Sequence, residues 1–388
     1  MQRAVGGGYW RGPLAGLAGA LVGIGLARFA YTPLIPAVIA AGWFAPAQAA
    51  WLGAANLSGY VAGALAARPA ARHVRLRLTV RVAMLVAALS FLACAAPAAF
   101  AWFFVWRFLS GMAGGFIMVL AAPAVLAQVP PARRGLAGGL IFTGVGLGIA
   151  ASGVLVPTLL QVGLSAAWLG LGLLALLTTL AAWRHWPAEA PVPIAGGHAR
   201  LDRGVMAVIV IYGLYAFGVV PVLLFLVDFV ARGLGRGMAT GAACWVAFGV
   251  GAMIGPTLGG AVADRIGFRA AVRIVMALVL LSVATPLVSV AMPALLLSSA
   301  VVGAFTPGFT ALALGRMHTL LPAGSEAART AWSAFSIAWA VGQALGAQAL
   351  SVVFGHGGHY ARLFAIGTAM LALALVLELL LGPPPRRV

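Results

Sequence analysis

The sequence predicts an all-α polytopic membrane protein with twelve transmembrane helices in two six-helix halves. Three observations carry that expectation. The composition is apolar and poor in charge, twelve apolar runs follow one another, and arginine is concentrated in alternate gaps between them.

Hydrophobic residues fill 63% of the 388 positions, charged residues only 8%, and mean hydropathy is +1.08. A soluble chain of this length would carry about 97 charged side chains. This one has 24 basic and 6 acidic residues. Neither a water-soluble domain nor a disordered chain fits those numbers. Twelve helices of about 20 residues use roughly 240 positions and leave about 148 for loops and ends. That leaves no room for a separate soluble domain of ordinary size. A net charge of +18 and a pI near 11.8 would suit a nucleic-acid binder, but the distribution does not. Every basic residue is Arg, and these arginines sit mainly between the apolar runs, as the positive-inside rule requires. Cys94 and Cys244 lie inside runs and read as small buried hydrophobes, neither a disulfide framework nor a metal site.

In order, the spans are read at 14–40, 47–67, 79–98, 102–127, 136–160, 164–183, 205–229, 240–262, 271–291, 293–315, 331–354 and 361–381. One set of gaps and ends holds Arg3 and Arg11; Arg68, Arg72, Arg75, Arg77 and Arg81; Arg133 and Arg134; Arg184, Arg200 and Arg203. The same set continues with Arg265, Arg269 and Arg273; Arg316 and Arg329; and Arg386 and Arg387. The other set holds only Arg232, Arg236 and Arg362. Nineteen against three places both termini in the cytoplasm. The Lys-free, Ala- and Gly-rich composition reads as that of a GC-rich bacterial genome, so the inner membrane is the expected location. The first run is too long for a cleaved signal peptide and has a counterpart later in the chain, so it counts as a span.

The longest gap, 184–204, is rich in Pro and Gly and follows the sixth span. It divides the chain into an expected N-terminal bundle at 1–183 and a C-terminal bundle at 205–388, with a cytoplasmic linker between. Two matches relate these halves. Gly25-Leu26, Phe29 and Pro33 recur as Gly213-Leu214, Phe217 and Pro221 at an offset of 188. Gly63-Ala64, Ala66, Arg68 and Arg72 recur as Gly260-Ala261, Ala263, Arg265 and Arg269 at an offset of 197. Parallel halves of this kind enclose a site near the bilayer midplane.

At these residues the chain resembles the major facilitator superfamily. Gly260-x-x-x-Asp264-Arg265-x-Gly267-x-Arg269 is similar to its loop motif A, and Arg107-x-x-x-Gly111-x-x-x-Gly115 to its motif B. Arg28-Phe-Ala-Tyr31-Thr32-Pro33-Leu-Ile-Pro36, with Ala55-Asn56-Leu-Ser-Gly59-Tyr60-Val-Ala-Gly63, resembles the YbfB/YjiJ-type members. The resemblance implies a secondary active transporter working by alternating access. It also implies that Asp264, bonded to Arg265, Arg269 or a helix N-terminus, holds one face closed. Motif A is incomplete after the second span, where Ala67 takes the acidic position. The fifth span, Gly144 to Pro157, only partly resembles the antiporter motif C.

Arg28 lies about 22 Å along the first helix from Pro13. A central Arg costs on the order of 3 kcal/mol on insertion scales, so it should face a wet cavity or a partner. Tyr31, Thr32 and Ile35 fall on its face at i+3, i+4 and i+7, with Pro33 and Pro36 loosening the backbone just beyond. Arg107 sits nearer the outer end of its span, and packing alone would account for Gly111, Gly114 and Gly115 beside it. Ala300 takes the corresponding place in the second half, so both buried cations belong to the first. In the second half Tyr212, Tyr215 and Val219 share one face, and Trp332, Ser336, Trp339 and Gln343 another. Such aromatic stripes serve helix packing more often than substrate contact. Asn56 either lines the site or bonds a neighbouring helix.

Two cations facing aromatics imply an organic anion with an apolar portion as substrate. The substrate-contact set is Arg28, Tyr31, Thr32, Asn56, Arg107, Tyr212, Tyr215, Trp332, Trp339 and Gln343. Acids are few. Glu189 and Asp202 belong to the linker, Glu326 to a loop, and Glu378 and Asp228 to span ends. Asp228 reads as a wet outer carboxylate paired with Arg232 at i+4, and as a candidate for proton coupling. No phosphate loop can form without Lys, and no His-Glu-x-x-His is present, so the reading is of a non-enzyme without cofactor or metal. Its partners would be a small solute, the bilayer and protons, without nucleic acid, and it would work as a monomer. A proton-coupled multidrug or metabolite efflux pump is the alternative, and a membrane sensor without transport is a third.

Overall fold

The computed structural model describes residues 10–130, 133–187, 200–321 and 325–381. The expected linker therefore lies mostly outside the described residues, as do Arg3, Glu189, Arg386 and Arg387. The rest forms twelve helical rods, with no strand among the described residues. They are α1 (Arg11–Ala40), α2 (Pro46–His73), α3 (Leu76–Ala93), α4 (Phe100–Ala127), α5 (Arg134–Leu160) and α6 (Leu164–Ala182). Then follow α7 (Arg203–Gly233), α8 (Gly237–Ile266), α9 (Phe268–Val288), α10 (Met292–Leu320), α11 (Glu326–Gly355) and α12 (Tyr360–Leu380). Eleven are long and apolar enough to cross a membrane. The exception is α2, in which Gln48, Asn56, Ser58 and Tyr60 interrupt the apolar run.

Several rods outrun their predicted spans. α10 continues to Leu320, which draws Arg316 inside the helix at only 4% exposure. The expectation that both buried cations lie in the first half is corrected by it. Arg316 stands 3.9 Å from the buried carboxylate of Glu378 on α12, as does Arg273 of α9.

Close packing repeats between the halves at an offset of 192, so Gly63 corresponds to Gly255 and not to Gly260, which corrects the match read at 197. At Gly59, Gly63 and Gly111 a side chain would run into the Phe108, Met112 and Asn56 backbone, so α2 and α4 touch through their main chains. At Gly251, Gly255 and Gly303, each 192 residues on, α8 and α10 repeat the contact against Ala300, Ala304 and Phe248. Small residues let membrane helices approach this closely.

The ends of α6 and α12 are held in matching ways. Arg77 Nε donates to the Trp186 carbonyl at 2.9 Å and Arg81 Nε to that of Trp183 at 2.8 Å. Arg269 and Arg273, again 192 residues on, donate to the carbonyls of Leu381 and Glu378, the latter at 2.9 Å. Carbonyls beyond a helix C-terminus lack intrahelical donors and carry partial negative charge, so a guanidinium satisfies both needs.

The first six and last six rods meet asymmetrically along their length. At the end remote from the chain termini, Thr32 Oγ1 donates to the Leu223 carbonyl at 2.6 Å, and the Leu224 side chain covers Gly53. α5 and α8 run antiparallel and touch where Gly153 meets Val246 and Gly146 meets Met253. Toward the termini, Gly135, Gly139 and Gly260 have nothing within 4 Å of a would-be side chain. The assembly is closed at the far end and open at the end where α1 begins and α12 ends.

Candidate functional site

The site originates in a break of α1. The rod is α-helical over Arg11–Ala20, π-helical over Leu21–Leu26, a turn through 27–30, and α-helical again over Tyr31–Ala40. Pro33 has no N–H for the Phe29 carbonyl, and its ring crowds that oxygen, so the helix cannot run straight through. Pro221 acts likewise in α7, which turns at Val219 and continues through π-helical Pro221–Phe225 and Phe229–Gly233. The loosening expected beyond Arg28 thus falls around Arg28 itself.

From this turn Arg28 enters a cavity between the first six and last six rods. Its guanidinium lies 5.0 Å from the Phe29 ring centre and 5.1 Å from that of Tyr60. It also donates to Oε1 of Gln343 on α11. No carboxylate pairs with it among the described residues. Tyr60, Thr306, Thr310 and Gln343 supply the remaining polar lining. Ile24, Phe29, Met118, Phe142, Val145, Ile149, Phe248, Pro307 and Trp339 supply the apolar wall. Such an arrangement can hold a small molecule with one polar, acceptor-rich end and an apolar body.

Of the ten predicted contacts, Arg28, Trp339 and Gln343 line this cavity. The other seven sit elsewhere. An unbroken helix would set Tyr31 and Thr32 on Arg28's face, and the turn at 27–30 removes that register. Tyr31 is buried and donates to the Ala49 carbonyl at 2.9 Å, and Thr32 bonds α7. Arg107 is 1% exposed, lies 4.4 Å from the Tyr31 ring centre and donates to the Ala27 carbonyl at 3.0 Å. Asn56 and Ser110 donate to the same oxygen, each at 3.2 Å. Three donors on one carbonyl satisfy the backbone that the break leaves behind. Tyr212 and Tyr215 stack on Phe309, and Trp332 stacks on Phe335.

Sequence reasoning did not single out Tyr60, Met118, Phe142, Thr306 and Thr310 as site residues. Thr306-Pro307 with Thr310 at i+4, a polar pair beside a mid-span proline, was the available signal. The acids also differ from expectation. Asp228 is fully buried, not wet: Arg232 Nη1 lies 3.1 Å away and Tyr360 donates at 2.6 Å. The outer part of α1 and the start of α12 cover it. Asp264 is exposed and forms no ion pair among the described residues, since α5 and α8 stand apart at that end. Arg265 is exposed beside it, Arg269 bonds α12, and Gly260 faces open space. Gly267 makes the α8–α9 turn at φ +82°, where a side chain would be strained.

Solved transporters share the fold. A bacterial homolog of the human lysosomal transporter Spinster, in an inward-facing and unoccupied conformation, aligns with a TM-score of 0.67 at 15% identity, over 97% of this chain and 96% of that one. A D-xylose-proton symporter gives 0.72 at 14% identity, over 97% and 98%. The xylose transporter XylE from E. coli, in a partially occluded inward-open conformation, gives 0.74 at 14% identity, over 98% and 99%. No curated protein matches the sequence. The family described as "Uncharacterised MFS-type transporter YbfB" matches residues 20–379. The chain is therefore a multi-pass membrane transporter rather than an enzyme, and it belongs to the YbfB family of the major facilitator superfamily.

Proposed function

We propose that this transporter moves a small organic anion across the bacterial inner membrane by alternating access, with Arg28 holding the anionic group. One observation carries the reading. Arg28 is a cation in the cavity between the two groups of rods, with aromatic faces and an amide around it and, among the described residues, no carboxylate to neutralise it. A guanidinium in such a place binds carboxylate or phosphate through two parallel hydrogen bonds. Residues 1–183 and 205–388 would rock as two bundles joined by the 184–204 linker. With both termini cytoplasmic, the present conformation is open to the cytoplasm. Both bundles come from one chain, so a monomer suffices. Proton coupling, named for one of the structural neighbours, would run through Asp228 or through the substrate itself.

The test is a thermal-shift screen of purified protein against anionic and cationic metabolites, repeated on Arg28→Ala, followed by uptake of the best compound into proteoliposomes. Anions should stabilise the protein, and Arg28→Ala should lose the effect. Stabilisation by cations alone would favour efflux of apolar drugs, a second reading supported by Phe29, Phe142, Phe248 and Trp339 in the wall. Binding without uptake would favour a sensor.

A further inference from the structure

We infer that the cargo carries a single negative charge, as a monocarboxylate does, and that it binds by taking Gln343's place on Arg28. This rests on the anion reading above and narrows it.

The charge count comes from what the cavity leaves accessible. Two other buried arginines, Arg107 and Arg316, do not line it. Arg107 lies behind the Tyr31 ring and serves the Ala27 carbonyl, while Arg316 stands beside Glu378 near the open end. Among the described residues the cavity therefore offers one cation. The rings of Phe29 and Tyr60 face that cation, and their negative faces favour it and disfavour a second anion. The other charge of a dianion would meet only neutral hydroxyls and the apolar wall, with no counter-charge among the described residues.

The exchange comes from Gln343. It is 1% exposed, its Oε1 accepts from Arg28, and its Nε2 is buried without a hydrogen-bond partner. A buried amide donor with no acceptor is unfavourable, and it marks a place where an acceptor belongs. A carboxylate has two oxygens. One can accept from the Arg28 fork in place of Oε1, and the other can accept from Nε2. The cargo then replaces a direct α1–α11 hydrogen bond with a bridge through itself. Amide and guanidinium together match one carboxylate, and the Tyr60, Thr306 and Thr310 hydroxyls of the cavity carry no charge to hold a second.

Isothermal calorimetry on the purified full-length protein can test both parts with benzoate against phthalate and hexanoate against adipate. Benzamide and benzylamine serve as the neutral and cationic controls. The monoanion of at least one pair should bind, its dianion at least about tenfold more weakly, and the controls not at all. Gln343→Glu sets a carboxylate against Arg28 and should weaken monoanion binding about tenfold or more without lowering Tm. A carboxylate at 343 would repel any anion from Arg28, so Gln343→Met is the discriminating variant: it should also weaken monoanion binding by removing the Nε2 donor. If Gln343 only holds the two bundles together, its loss frees Arg28 and leaves binding unchanged or tighter. Dianions binding as tightly as monoanions, or monoanion binding undiminished by Gln343→Met or Gln343→Glu, overturns this inference. If Arg28→Ala still abolishes binding in those cases, the anion reading stands. Binding of benzylamine alone, or of none of the carboxylates, overturns that reading and this inference with it.

Discussion

Gly139 of α5 and Gly260 of α8 stand one heptad beyond Gly146 and Met253, which touch, and nothing lies within 4 Å of either missing side chain. Gly153 with Val246, Ala150 with Gly249 and Gly146 with Met253 are pairs that touch, and the first and last lie seven residues apart on each rod. Closing the open end should bring 139 and 260 together. In a Cys94→Ser, Cys244→Ser background, oxidised cysteines at 153 and 246 should cross-link in the resting state, and cysteines at 139 and 260 should not. Disulfides need Cα atoms within about 7 Å. Ready cross-linking of 139 to 260 at rest would contradict the open end.

Arg107 should matter for stability before it matters for cargo. Arg107→Ala removes a charged donor from the Ala27 carbonyl and a cation from the Tyr31 ring. The expected loss is about 1.5–3 kcal/mol, read as a lower Tm. Anion affinity should fall less than in Arg28→Ala. An unchanged Tm with abolished binding would move Arg107 into the binding site.

Asp228 is held by Arg232 and Tyr360, and Arg232 is one-third exposed. Asp228→Asn keeps an acceptor for Tyr360 and leaves Arg232 to water, so it should cost only about 1 kcal/mol. If protons pass through this acid, the variant should still exchange solute across proteoliposomes but lose accumulation driven by a pH gradient. Full pH-driven accumulation in Asp228→Asn would assign the proton to the substrate.

The clamps on α6 and α12 should differ in strength. Arg81→Ala loses its bond to Trp183, at about 1 kcal/mol, while Arg273→Ala also leaves Glu378 with one fewer cation and should cost roughly twice as much. Denaturation of the two variants in one detergent gives the comparison. A larger loss for Arg81→Ala would contradict the role given to Glu378.

The rods and the family could be read from the sequence because apolar length and alternating arginine report directly on a bilayer. Arg28 stood out for the same reason, as a charge in a run that should have none. Tyr31 and Thr32 went elsewhere because a π-helical turn shifts the register that a face argument assumes, and only Pro33 hinted at it. Arg316 was hidden by a helix that outruns its apolar span by one turn. Asp228 looked wet because burial at a helix end depends on which neighbours fold over it. Thr306, Thr310 and Tyr60 are ordinary residues in their own rods, and only the packing of seven rods brings them to one cavity.

The paired arginines at the starts of α3 and α9 have one more consequence. They lie in gaps dense with positive charge, the kind retained on the side where a membrane protein is made. The same side chains then fasten the last turns of α6 and α12 once those helices arrive. Orientation during insertion and cohesion after folding thus depend on shared atoms. A mutational path that thinned this charge to invert the chain would unfasten two helices along the way. Replacing these arginines with lysines would keep the insertion signal and still loosen the joints, because an ammonium lacks the planar fork.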